Sequence, residues 1–286
     1  MKICVIYNPT SGRFNLNLLK KNLSIIFSQA NIDYMRTSSP KHATEIVSQF
    51  HTKDYDRIIC VGGDGTINEI LNGFRDDLLV PLAIIPFGTA NILSYELGIN
   101  SNFTKSLVAL QKGEDKEFYY GFAGNKKFFS MFGVGFDAYI VSKINLVLKK
   151  KYGKVIYFFE TLKAFFTYKY PPFKVNINNT NYTIYSLIIA NSKYYAGRYV
   201  ISKKIDITDD KLHSILFLKK GIFQFFIYFF LIIIGKIHFS KNFKILESKK
   251  IYIDGKNIFM HADGDLINFE NLIRISNNTV RIKSLV

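Results

Sequence analysis

Residues 57–69 read Arg57-Ile58-Ile59-Cys60-Val61-Gly62-Gly63-Asp64-Gly65-Thr66-Ile67-Asn68-Glu69. A short apolar run bounded by turn residues predicts a buried strand over Arg57–Val61, and the spacing from Thr66 to Gly73 predicts a helix. Between them, Gly62, Gly63 and Gly65 allow a closer backbone approach than any Cβ would. The amides of the loop therefore suit a polyphosphate, with Thr66 at the opening of the helix. The loop lacks the terminal Lys-Ser/Thr of a P-loop and the GxGxxG spacing of a dinucleotide site. Asp64 is the unusual member. A carboxylate beside phosphates is repulsive unless Mg²⁺ lies between them or the group takes up a proton during reaction. The alternative is an Asp-Gly turn capped by its own side chain.

The same unit recurs on both sides. Ile3–Tyr7 reads as a strand, Asn8, Pro9, Thr10, Ser11 and Gly12 as a turn, and the following segment as a helix with Leu19, Leu23, Ile26 and Phe27 on its apolar face. A further helix is expected near Ala43–Phe50. Pro81–Ile85 reads as a third strand, followed by the loop Pro86–Asn91 (PFGTAN) and a helix from about Ala90. Strand, loop and helix three times over predict an open, mostly parallel α/β sheet. All three loops then emerge at its carboxyl edge, where such sheets bind ligands. Asn91 is placed to hold its loop against a neighbour.

Beyond about residue 120 the chain changes to β-branched and aromatic runs: Lys127–Gly133, Phe173–Asn178, Tyr182–Asn191, Leu212–Leu218, Lys249–Ile253 and Asn257–His261. These predict an antiparallel, β-rich, sandwich-like domain. Asp254-Gly255 reads as a two-residue hairpin turn. Helical patterns at Tyr139–Lys150 and Val155–Tyr168 form a pair around Gly153, and Ile222–Ile234 is an apolar run flanked by Lys219, Lys220 and Lys236. That run is shorter than the roughly 20 residues a membrane span needs at about 1.5 Å each. It is either a core helix or a helix dipping into a membrane interface with lysine anchors.

With 286 residues, the chain has room for one large or two ordinary domains. Its 48% apolar and 21% charged residues exclude disorder, collagen and coiled coil. Two cysteines, Cys4 and Cys60, exclude a disulfide framework and a cysteine-based zinc site. His42, His51, His213, His238 and His261 have no zinc-ligand spacing. The N-terminal apolar run is too short for a secretory signal. A charge of +16 suits an anionic partner such as nucleic acid, lipid headgroups or a phosphorylated substrate, although a composition generally rich in Lys, Ile, Asn, Phe and Tyr accounts for it as well.

In order and spacing, NPTSG, GGDGTINE and PFGTAN, followed by FGVGFDA (Phe132–Ala138) and HADGD (His261–Asp265), resemble the diacylglycerol kinase-type catalytic domain. That domain is shared by bacterial lipid kinases and by sphingosine and ceramide kinases, and is distantly related to NAD kinase and phosphofructokinase. The resemblance runs through nearly the whole chain. It implies a Rossmann-like nucleotide domain over residues 1–120, rejoined by a final strand at about 276–286, and a lipid-substrate domain over 121–275. It implies ATP and Mg²⁺, with ATP against Asn8, Pro9, Thr10, Ser11, Gly12, Thr37, Gly63, Asp64, Gly65, Thr66, Ile67, Asn68, Glu69 and Thr89. Asp64 would help organise the phosphates.

Asp265 stands where the family's general base is proposed, one methylene shorter than the usual Glu. A structural Mg²⁺ would take the Asp209 carboxylate and the carbonyls of Asp206 and Lys211, although the family's Pro, Ala and Gly are replaced in Lys203–Asp210. Tyr119 replaces an Asp that in relatives links this metal to the active site; Glu114, Asp115 and Glu117 lie close by in sequence. His261 either assists the base or fills the strand end.

The implied function is transfer of the γ-phosphate of ATP to diacylglycerol or a related long-chain alcohol. The alternatives are an NAD kinase-like phosphotransferase and a catalytically silent lipid-binding protein. The implied setting is cytoplasmic and peripheral at the inner membrane face. The implied partners are a lipid substrate and an anionic membrane, with a homodimer as a candidate assembly and no nucleic acid. The Lys- and aromatic-rich stretch Lys143–Lys169 fits membrane docking better than nucleic-acid binding.

Overall fold

The computed structural model describes residues 1–12, 15–51, 53–75, 80–99, 102–145, 148, 153, 155–196, 199–255, 257–267, 272–276 and 279–284. The chain divides into two compact units, Met1–Tyr119 with Asn278–Val286, and Tyr120–Asn277.

In the first unit, Lys2–Tyr7, Arg57–Gly62 and Leu82–Pro86 are adjacent parallel strands whose side chains are almost all buried. Near-continuous burial is what a parallel sheet with both faces covered requires. Ile3, Val5, Ile59, Val61, Ala83 and Ile85 form one core with Leu19 and Leu23 of the helix Leu16–Ile26. Asn15 starts that helix by accepting the amides of Asn17 and Leu18. Cys4 and Cys60 are buried free thiols in this sheet.

Asn31–Arg36 adds a parallel edge strand beside Lys2–Tyr7 that the apolar pattern does not announce. It is only half-buried and carries Asp33 and Arg36, so it reads as too polar for a strand. On the other side, Val280–Ser284 runs parallel to Leu82–Pro86, and Glu114–Phe118 closes the edge antiparallel to it. The helix expected from Thr66 begins at Asp64. The Asp-Gly turn is therefore not formed, because Asp64 occupies the first helical turn, where an acid complements the helix dipole.

The second unit has two six-stranded sheets and a two-stranded pair. Two runs expected as single strands are each split between those sheets. Lys127–Gly133 becomes Lys126–Phe128 and Met131–Gly135, and Tyr182–Asn191 becomes Thr180–Ile184 and Ser186–Ala190. The first break has a visible cause. The Asp263 carboxylate takes the amides of Phe129, Ser130 and Met131 at 2.6, 2.9 and 2.8 Å, withdrawing that backbone from one ladder before it enters the next. The hairpin expected at Asp254-Gly255 is also absent. Lys250–Asp254 pairs with Phe173–Ile177 and Leu272–Ile275, whereas Met260–Ala262 pairs with Met131–Gly135 in the other sheet. The helix expected over Tyr139–Lys150 is Phe136–Lys143, and residues 146–147 and 149–150 of that expectation lie outside the described residues. The second helix of the pair is Val155–Thr167, and the apolar run gives Ile222–Ile233.

Candidate active site

Parallel strands deliver the three glycine-containing loops to one sheet edge, and backbone contacts knit them together. The Asn8 amide donates to Val61 O at 3.0 Å, and the Phe87 amide to Gly62 O at 2.8 Å. Gly12, at φ +61°, lies so close to the next loop that a Cβ would stand 2.6 Å from the Phe87 carbonyl oxygen. A Cβ on Gly63 would stand 2.7 Å from Gly88 Cα. Backbone meets backbone there, and only glycine fits.

The polar side chains of this edge secure the loops. Asn8 Oδ1 accepts the amide and hydroxyl of Thr10, both at 2.9 Å, and its Nδ2 lies 3.4 Å from Thr66 Oγ1. Asn91, buried and left-handed at φ 51°, holds the amide and carbonyl of Gly88 in two 2.8 Å bonds and so fastens its own loop. The helix Asp64–Gly73 starts on Gly63 with no side-chain cap. Pro9, Ser11, Asp64, Gly65 and exposed Thr89 lie on these three loops. Thr37 lies at the end of the adjoining edge strand, buried, with its amide on Tyr7 O at 3.0 Å.

Three of the expected ATP residues also hold the fold together. Glu69 Oε1 and Oε2 accept the amides of Lys41 and Ala43 at 2.9 and 3.2 Å. Glu69 therefore caps the helix His42–Ser48, which starts at left-handed Lys41 without a cap of its own. Ile67 is core, and buried Asn68 bonds Asn72.

In the second unit the HADGD segment forms a tight hairpin, Met260–Ala262 against Asp265–Leu266, with Asp263 and Gly264 at φ 50° and 88°. Buried and half-buried side chains fix it from below. Asp263 holds the three amides already described. The amide of Gly264 donates to His261 Nδ1 at 3.1 Å. That nitrogen therefore accepts, which leaves Nε2 as the ring's donor toward Asp137. Nε2 donates to Asp137 Oδ2 at 2.6 Å, while the Tyr195 hydroxyl donates to Asp137 Oδ1, also at 2.6 Å. Burial pushes the Asp137 carboxyl up, but His261 and Tyr195 outweigh it and hold the group below its ordinary value. A Cβ on Gly133 would collide with both His261 Nε2 and Asp137 Oδ2, which explains the first glycine of FGVGFDA.

Asp265 itself is 60% exposed, with Lys126 Nζ at 3.4 Å. The turn thus presents one carboxylate outward while its neighbours are locked. His261 fills the strand end and also orients the turn. The Asp137–His261–Tyr195 network was not anticipated as a unit. Its signal was present, because an acid and a histidine occur in the two C-terminal hallmarks, but only pairing of Met260–Ala262 with Met131–Gly135 brings them together.

At the expected metal loop, Asp206 Oδ1 accepts the amide and hydroxyl of Thr208 at 2.9 and 2.7 Å, and its carbonyl accepts the Asp209 amide at 3.1 Å. Lys211 pairs with Glu247 at 2.6 Å, and Asp210 pairs with Lys249. Carboxylate and carbonyl oxygens are the donor class of a hard divalent ion. Among the described residues, however, no three His, Cys, Asp or Glu side chains gather as a metal-ligand group. The bonds of this loop engage the Asp206, Asp210 and Lys211 side chains and the Asp209 amide. Asp115 is likewise occupied, in a bidentate pair with Arg57 at 2.9 and 2.8 Å.

Comparison with known proteins fits this geometry. Residues 2–123 match the diacylglycerol kinase catalytic domain, and residues 130–274 match the YegS C-terminal NAD kinase beta sandwich-like domain. A diacylglycerol kinase of Bacillus subtilis is 30% identical over 166 residues, 56% of this chain and 54% of that one. The crystal structure of a diacylglycerol kinase from Bacillus anthracis shares the fold, with a TM-score of 0.76 at 23% identity over 99% of this chain and 96% of that one. An NAD kinase from Archaeoglobus fulgidus, solved in complex with ATP, shares it more distantly, with a TM-score of 0.55 at 16% identity over 99% and 94%. Two matched domains in sequence, each carrying its own motifs, place this chain in the diacylglycerol kinase catalytic-domain family of lipid kinases.

Proposed function

We propose that the protein transfers the γ-phosphate of ATP to the hydroxyl of diacylglycerol or a related long-chain alcohol. The observation that carries this reading is the glycine-on-glycine contact of Gly63 and Gly88 at the edge where three loops converge. Bare backbone beside the dipole of an uncapped helix is suited to a phosphate chain. The Asp64 carboxylate in that helix's first turn is a hard oxygen donor, of the class that would hold Mg²⁺. When bound, Mg²⁺ neutralises phosphate charge. The rest of the catalysis is positioning.

Asp265 takes the proton of the acceptor hydroxyl. The freed oxygen forms the new bond to the γ-phosphorus, the bond from that phosphorus to the bridging oxygen breaks, and ADP leaves with the electron pair. The held turn supports this role by fixing the backbone from which the Asp265 carboxylate projects, and a general base acts at hydrogen-bond distance from the hydroxyl. No step requires a metal at Asp206, Asp209 and Lys211.

The test uses radiolabelled ATP with a mixed lipid extract in one arm and NAD in the other, with products separated by chromatography. The expected result is a labelled lipid and no labelled NADP. Asp265→Asn should lower phosphate transfer at least about a hundredfold, within the range by which general-base catalysis contributes, while ATP still raises the melting temperature as in the wild type. An active Asn variant removes Asp265 from the mechanism. Wild-type turnover no higher than that of Asp64→Ala favours the silent lipid-binding protein.

A further inference from the structure

The helix Ile222–Ile233 is almost wholly apolar, Gln224 excepted, yet only one side is covered. Phe225, Tyr228 and Ile232 are buried in the core of the second unit. On the other side, Phe223, Phe226 and Phe230 are exposed at helical spacing, Phe223 at 79%. The helix Val155–Thr167 lies beside it, with ring centroids of Phe165 and Phe226 5.7 Å apart and those of Phe158 and Phe229 6.5 Å apart. It adds Phe166, which is 76% exposed. Soluble surfaces rarely carry so many uncovered large rings together, and such patches mark interaction sites.

Charge decides which partner fits. Exposed Lys219 and Lys220 precede the apolar helix, exposed Lys236 follows it, and the helix has no acidic residue. On the neighbouring helix the only acid, Glu160, is paired with Lys163 at 2.9 Å. Two copies meeting through this face would bring lysine ends together with no acid in the apolar helix to neutralise them. An anionic bilayer meets both demands, since rings enter the acyl boundary while lysine stems lie along it with their ammonium groups among the headgroups. Among the described residues no helix is long and apolar enough to cross a membrane, so the contact is with one leaflet.

We infer that the exposed aromatic face of these two helices docks the protein onto an anionic lipid surface. The inference deepens the lipid-kinase reading by naming the surface from which the acceptor is drawn. The core-helix and interface-helix readings of this segment then describe opposite sides of one helix.

Sedimentation with phosphatidylglycerol-containing and phosphatidylcholine-only vesicles tests it, alongside sedimentation velocity without lipid. Wild type should bind the anionic vesicles at least tenfold more tightly than the neutral ones. Phe223→Ser combined with Phe226→Ser and Phe230→Ser should lose at least tenfold of that affinity with its melting temperature retained. Should the triple variant unfold, Phe223→Ser alone, at the most exposed position, should still lose several-fold. Lys219→Gln with Lys220→Gln and Lys236→Gln should weaken binding and flatten its salt dependence. Transfer to vesicle-embedded diacylglycerol should fall with binding, whereas transfer to a dispersed short-chain diacylglycerol should not change. Vesicle binding unaffected by the phenylalanine changes, or a wild-type dimer that those changes dissociate, overturns the inference. Vesicle binding as expected with no transfer to either acceptor leaves the docking surface standing and overturns the kinase reading instead.

Discussion

At Gly63 and Gly88 two loops touch through bare backbone, whereas around half-buried Asp263 and buried His261 the backbone is held by side chains. Both arrangements hold a turn in a fixed shape, but they fail differently. The glycine edge is made by leaving atoms out, so adding one carbon should damage it. The acid-bearing turn is made by burying polar groups with full complements of partners, so removing one should damage it more.

The largest effect is therefore expected at Asp263. Asp263→Ala strands three amides that the carboxylate now accepts, and should cost about 3 kcal/mol or more in urea unfolding. Asp263→Asn, which keeps an acceptor oxygen, should cost less. A loss under about 1 kcal/mol for the alanine variant, the net worth of a single ordinary hydrogen bond, would mean the amides find other partners and the contrast fails.

Next in size is a pair of glycines in the same loop. Gly63→Ala places its Cβ 2.7 Å from Gly88 Cα, a backbone atom that cannot swing aside, whereas a Cβ on Gly65 meets nothing within 4 Å. Gly63→Ala should lose about 1–3 kcal/mol of stability, as overpacking does, and most of the thermal shift produced by ATP. Gly65→Ala should keep its stability. Equal tolerance at both positions would show that the close approach is not what shapes this edge.

The same contrast explains what could be read from the sequence. Gly62, Gly63, Gly65 and Gly88 announce themselves because the loops they build are local, each following its own strand. The parallel sheet is legible for the same reason, since apolar runs such as Arg57–Val61 recur with helices between them. The capping role of Glu69 is not legible locally, because its partners, Lys41 and Ala43, lie at the start of a helix that no local pattern connects to it. Asp137, Tyr195 and His261 are separated in sequence and meet only through sheet pairing, so each looked ordinary alone. The breaks at Phe129–Ser130 and at Tyr185 were invisible because apolar alternation continues through a strand that changes sheets.

The smallest effect concerns Asp115, on the strand just before Tyr119, a position where the family resemblance implies an acid. Asp115 sits on the antiparallel edge strand and reaches Arg57 three strands inward, past Val280–Ser284 and Leu82–Pro86, with Lys283 Nζ also at 3.8 Å. The Arg57 hydrogen bond, aided by the positive charge around it, holds the carboxyl below its ordinary value despite partial burial. A depressed carboxyl stabilises the fold above the ordinary carboxylate range, and the contribution disappears as pH falls through the folded value. Asp115→Asn should thus cost about 1 kcal/mol at neutral pH, the upper range for a partly exposed pair. The difference from wild type should shrink below about pH 4 as the unfolded and then the folded carboxyl are protonated. Phosphate transfer should be unchanged, because this carboxylate straps the sheet and is spent on Arg57. A variant of normal stability with impaired transfer would instead give Asp115 the work of the acid that Tyr119 displaced, and would blur the division between an edge shaped by bare backbone and a turn shaped by buried acids.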